Sequence, residues 1–128
     1  MKLDQVGKVF DLEERTALFG IAVIHLVKKV PKNDIIKPVV SQLIRSGTSI
    51  GANYCEADCA ESRKDFEHKI GICKKEAKET RYWLRMMAEI VPEMKEELKV
   101  LWKEANELHL IFIAIVKKSR LNNLKMSK

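Results

Sequence analysis

Apolar residues recur along the chain at alternating steps of three and four. The first series is Leu12, Thr16, Phe19, Val23, Leu26 and Val30. The second is Ile36, Val40, Leu43, Gly47, Ile50, Tyr54 and Ala57. A third runs Phe66, Ile70, Cys73, Ala77, Thr80, Leu84, Met87 and Val91, and a fourth Met94, Leu98, Leu101, Ala105, Leu108, Phe112 and Ile115. A 3.5-residue period is the inward seam of packed helices, so the pattern predicts four of them, roughly 11–30, 35–58, 62–90 and 92–120.

The breaks fall where helices should end. Asp11 with Glu14, and Ser62 with Asp65, have the spacing of capping pairs. Pro31 to Asp34 separates the first two segments, Pro38 is tolerable only in a first turn, and Pro92 stands where the fourth helix should begin. All three connections are short, so neighbours run antiparallel. The expected fold is all-α: a single antiparallel, up-down-up-down four-helix bundle over 1–121, with 122–128 a flexible basic tail.

Composition fits one soluble domain. The chain has 128 residues, of which 46% are hydrophobic and 33% charged, with only 5 Gly and 3 Pro. Its longest apolar run, Leu108 to Val116, is too short to span a bilayer and contains His109. Asp4, Asp11, Glu13 and Glu14 occupy the stretch where a signal peptide needs an uncharged core, so a cytoplasmic location is expected. Three cysteines in such a chain do not suggest a disulfide framework.

The seams also exclude chemistry. None carries Asp, Glu, His, Lys or Arg, whereas a di-metal bundle needs inward Glu and Glu-x-x-His. Asp65-x-x-His68 points outward by phase. Met87 and Met94 read as core filler rather than haem ligands. Cys55-x-x-x-Cys59 has zinc-like spacing, but Cys73 faces inward and His68 outward, so buried or half-buried thiols are the expected reading. The chain has neither a Gly-rich phosphate loop nor a nucleophile elbow, and His25, His68 and His109 lie on three different helices. No metal, cofactor or small-molecule substrate is expected, and the chain reads as no enzyme.

Charge and apolar residues on the outer faces are more informative. The net charge is +6, from 24 Lys and Arg against 18 Asp and Glu. Lys117, Lys118, Arg120, Lys125 and Lys128 are followed or preceded by no acid in that segment; taking these five from the 24 leaves 19 basic against 18 acidic. A basic end on a near-neutral body suits a polyanion, although basic residues also favour a helix C-terminus. On the third helix Lys74, Lys78, Arg81 and Arg85 form a stripe whose i±3 and i±4 neighbours include one acid, Glu89. With Tyr82 and Trp83 alongside, it suits phosphate contact and base stacking. The alternative is a solvated face paired with Glu96, Glu97 or Glu104 of a neighbouring helix. Opposite the first seam lie Ala17, Leu18, Ile21 and Ile24, and on the fourth helix Leu110, Ile113 and Ala114. An apolar outer face implies a partner, in the first place another copy of the chain.

The second helix contains Arg45-Ser46-Gly47-Thr48-Ser49-Ile50-Gly51-Ala52-Asn53, in which Gly47 and Gly51 suggest close backbone approach. Asn53 is expected as a satisfied polar group bonding a neighbouring helix, and Glu56 as a partner for Arg63 or Lys64. Arg45-Ser46 through Ile50, Ala52-Asn53-Tyr54, Glu56-Ala57, Ser62, Asp65-Phe66, Lys69 and Lys75-Glu76-Ala77-x-Glu79-Thr80-x-Tyr82-Trp83-Leu84 resemble the four helix bundle protein family, also called the 23S rRNA intervening-sequence protein family. The resemblance covers roughly 10–121. It implies a cytoplasmic bacterial protein with an antiparallel bundle and ring-like homo-oligomers, pentamers, and it extends to basic, nucleic-acid-binding accessory proteins of retroelements. Some relatives have Gly where this chain has Ala57, and the three cysteines are not part of the family pattern. The resemblance transfers no catalytic residue.

The expected function is therefore a homo-oligomeric bundle that binds RNA or DNA through Lys74, Lys78, Arg81, Tyr82, Arg85, Lys117, Lys118 and Arg120. A scaffold for a protein partner is the alternative; an enzyme site between subunits has only His25 to suggest it. Substituting Ile21→Glu on the apolar face should leave a folded but smaller particle, and an unchanged particle mass would contradict that interface.

Overall fold

A computed structural model describes residues 11–126, without the side chain of Met126. Four helices account for nearly all of it: α1 (Leu12–Val27), α2 (Ile36–Asp58), α3 (Arg63–Ile90) and α4 (Lys95–Met126), with a short 3₁₀ turn, Pro92–Met94, leading into α4. The chain is an all-α, antiparallel four-helix bundle. No described helix is long and apolar enough to cross a membrane.

The caps follow the sequence. Asp11 Oδ1 accepts from the Glu14 amide at 3.1 Å, and Ser62 Oγ from the Asp65 amide at 3.0 Å. Each satisfies an amide that the first helical turn leaves without a partner. At α2 the cap comes from Asn33, whose Oδ1 accepts from both Ile35 and Ile36, 2.9 Å each. Pro38 falls in the first turn of α2, and Pro92 opens the turn before α4. α1 ends at Val27, three residues short of the expected boundary. α4 continues to Met126, so residues 122–126, expected as a flexible tail, are helical. Asp4 and Lys128 lie outside the described residues.

Every seam residue is buried or half-buried, and Val116 and Ser119 continue the buried line of α4. Phe112, Leu43, Ile50, Ile70, Leu84 and Leu108 form the centre of the core. Three lateral contacts set the α2–α3 register: the Cys73 thiol on the Ile50 carbonyl (3.5 Å), Thr80 Oγ1 on Ser46 Oγ (3.0 Å), and Lys69 Nζ on Glu56 (2.5 Å). Glu56 thus reaches Lys69 of α3. Asn53 bonds within its own helix, Nδ2 donating to the Ser49 carbonyl at 2.9 Å, rather than to a neighbour.

Small residues let α1 and α2 approach. A Cβ built on Gly47 would stand 3.1 Å from Val23 Cγ2, and one on Gly51 3.2 Å from Thr16 Oγ1. Val23 is fully buried and has little room to yield. Gly71 has open space around it. Gly71→Ala should therefore raise unfolding stability by about 0.5–1 kcal/mol through helix propensity. Gly47→Ala should lower it, because overpacking by about 1–3 kcal/mol exceeds that gain. Urea midpoints measure both; equal shifts of the same sign would contradict the close α1–α2 approach.

Candidate nucleic-acid interface

α3 uses its two flanks differently. On the α2 side, Arg45 Nη2 donates to Glu79 Oε2 at 2.6 Å and Nη1 to Glu76 Oε2 at 3.3 Å. Glu79 Oε2 also accepts from Trp83 Nε1 at 3.0 Å. The Trp83 donor and the Arg45 charge hold the Glu79 carboxyl below its ordinary range, and Glu79 and Glu76 hold the Arg45 guanidinium above its own. Glu76 is buried, 8% exposed, and its Oε1 has no partner among the described residues. The Arg45-Ser46 and Glu76-Ala77-x-Glu79-Thr80-x-Tyr82-Trp83 motifs are thus two halves of one polar clamp between α2 and α3.

The α4 side carries the cations. Lys74, Lys78, Arg81 and Arg85 lie along this flank, and none makes an ion pair within 4.0 Å among the described residues. Two of the three acids expected as their partners, Glu104 and Glu97, are engaged elsewhere. Glu104 takes Arg15 in a two-pronged contact (2.7 and 2.9 Å), Glu107 takes the same guanidinium at 2.8 Å, and Glu97 takes Lys29. These pairs tie α4 to α1 and raise the Arg15 pKa, chiefly through Glu104. Arg81 is fixed by a neutral partner, Nη1 donating to Asn106 Oδ1 at 2.5 Å, and its guanidinium stands 5.7 Å from the Trp102 ring centre. His109 Nδ1 is 3.1 Å from the Lys74 carbonyl, which can only accept, so Nδ1 carries the proton. Burial pushes this imidazole down, and the cations Arg81, Lys74 and Lys78 push it further.

Lys75, Lys78, Glu79, Arg81, Tyr82, Arg85 and Trp102 line a groove of about 590 Å³ on this surface. The sequence pattern does not single out Trp102, and it marks Lys75 only as part of the family motif. Trp102 sits beside the fourth seam by phase, but nothing in the α4 periodicity says that it leans over α3. Trp83, expected along the stripe, is half-buried with its nitrogen occupied. Lys117 and Lys118 are exposed. Arg120 pairs with Glu67 at 3.9 Å, and Glu67 also accepts from Ser119. The run from Lys74 to Arg85 is about 16 Å long at 1.5 Å per residue.

Ala17, Leu18, Ile21 and Ile24 are exposed on α1, as are Leu110, Ile113 and Ala114 on α4. The Arg15 and Lys29 contacts place the α4 group toward the start of α1. Val100 of α4 is also exposed.

Cys55 and Cys59 are exposed, and Cys73 is buried. Burial pushes the Cys73 thiol up to about 12. Among the described residues, no three or more His, Cys, Asp and Glu gather as a metal site would require. A thiol reagent near pH 8 should accordingly modify two cysteines quickly and the third only on unfolding. Three equal rates would contradict this placement.

The architecture and the clamp define a four-helix bundle whose motifs hold α2 to α3. The family model of the 23S rRNA-intervening sequence protein matches residues 10–114, and the chain belongs to this family. It is also similar to the crystal structure of a protein of unknown function from the S23 ribosomal protein family of Bacteroides thetaiotaomicron. The two share 32% sequence identity with a TM-score of 0.72, over 82% of this chain and 97% of that one. No match is found among the curated proteins.

Proposed function

We propose that this protein is a non-enzymatic, cytoplasmic homo-oligomer, a ring of five subunits, that binds RNA or DNA through its phosphates. The observation that carries the binding is the α3 flank: four cations within about 16 Å, none paired with a carboxylate among the described residues. Lys78 and Arg85 are fully available, and Arg81 is held in position by Asn106. A row of cations without acids attracts phosphates by releasing their counterions, a contribution that is independent of sequence. The contacts suited to this are backbone contacts, which position a nucleic acid without reading its bases. Self-association would repeat the row around the assembly and raise avidity without new chemistry. Support for self-association comes from the exposed apolar face of α1, where Ile21 is 45% exposed. That face also favours a second reading, a scaffold for a protein partner with no affinity for polyanions.

A salt series separates the two readings. Nuclease-treated protein is titrated with short fluorescent RNA and duplex DNA at increasing salt. Affinity should fall by about 0.9 log units per phosphate contact per tenfold salt on duplex DNA. Lys78→Glu and Arg85→Glu should each reduce that slope by about one contact or more. No binding at low salt would leave the scaffold reading.

A further inference from the structure

The phosphate reading uses the cations of the groove and leaves its aromatic rings unexplained. Tyr82 is 52% exposed. Its ring meets Trp83 edge to face, 4.9 Å between centres at 79°. Trp83 is anchored in turn, its Nε1 on Glu79 and Glu79 on Arg45 of α2. The exposed ring therefore stands on a support fixed by the clamp. Across the groove Trp102 of α4 is 38% exposed, and the guanidinium near its ring is itself held by Asn106. Two held aromatic rings and the free ends of Lys78 and Arg85 thus share one groove. Its single carboxylate, Glu79, is already compensated by Arg45.

Phosphate contact needs only the cations. Exposed rings beside them suit a ligand that also has an accessible flat face. A duplex keeps its bases stacked on one another and presents its phosphates; an unpaired strand presents both groups. We infer that the groove takes single-stranded nucleic acid, with an unpaired base stacked on Tyr82 and Trp102 and the flanking phosphates on Lys78 and Arg85. This rests on the polyanion reading above and adds the class of strand. Stacking tolerates any base, so the preference is for unpaired strands and not for a sequence.

The test uses the full chain with oligothymidylate of about 16 nucleotides and a duplex of the same length. The single strand should bind more tightly and quench tryptophan emission. In Trp83→Phe, which leaves Trp102 as the one tryptophan, the quench should persist. Tyr82→Ala should weaken single-strand binding by roughly five- to a hundredfold, with duplex affinity and the salt slope unchanged. Tyr82→Phe should retain binding, since it keeps the ring, and circular dichroism checks that each variant is folded. Duplex binding that equals or exceeds single-strand binding overturns the inference and leaves the polyanion reading standing. So does an equal loss on both ligands, or no loss, in Tyr82→Ala. No binding of either ligand at low salt overturns both.

Discussion

Helix α3 packs against α2 and α4 along most of its length, and the rest of the molecule depends on that double contact. The α2 side is fixed by matched small and polar groups: Ser46 against Thr80, the Cys73 thiol on a carbonyl, and Arg45 across two carboxylates. A buried hydroxyl or carboxylate is costly unless it is bonded, so these pairs set the register as well as adding to its stability. With α3 fixed on α2, its other flank is set against α4. There, among the described residues, Glu67 is the carboxylate that pairs with a basic residue of α4, Arg120, near the start of α3.

The acids of α4 explain why the stripe is left uncompensated. Glu97, Glu104 and Glu107 turn toward α1, where Lys29 and Arg15 receive them. α1 is short and meets α4 over far less of its length than it meets α2, so these ion pairs form much of the closing contact of the bundle. Exposed pairs of this kind contribute little each, but Arg15 holds two carboxylates with a planar fork and so fixes their direction. The charge balance of the chain is nearly even outside its C-terminal segment, yet its distribution is not. Acids gather on the α1–α4 and α2–α3 contacts, and cations remain on the α3–α4 surface.

Much of this was legible in the sequence, because a helix bundle writes its core as a period. The four seams, the Asp11 and Ser62 caps and the proline positions follow from spacing alone and lie where spacing puts them, whereas the Asn33 cap of α2 has no such signal. The outward phase of Lys74, Lys78, Arg81 and Arg85 followed from the same arithmetic. What spacing does not carry is the direction of long side chains across a helix boundary. Glu104 has equal claim, by sequence, to α1 or α3, and only the packing shows that it takes Arg15. Trp102 is hidden for the same reason: its place in the groove depends on how α4 lies on α3. The end of α4 is not marked by the period, because the helix continues to Met126, past the last apolar residue of its seam.

Lys78 stands among like charges, and among the described residues no carboxylate lies within ion-pair distance of it. Its i±3 and i±4 neighbours are Lys74, Lys75, Arg81 and Tyr82. Like charges so placed destabilise a helix by about 0.2–0.5 kcal/mol per pair, and salt screens the effect. The most direct measurement is the urea midpoint of the protein and of Lys78→Gln at about 0.01 M and about 1 M salt. Lys78→Gln should be the more stable of the two at low salt, and the difference should vanish at high salt. A variant less stable than the parent at low salt would show instead that Lys78 is paired with an acid and that the row of cations is not left uncompensated.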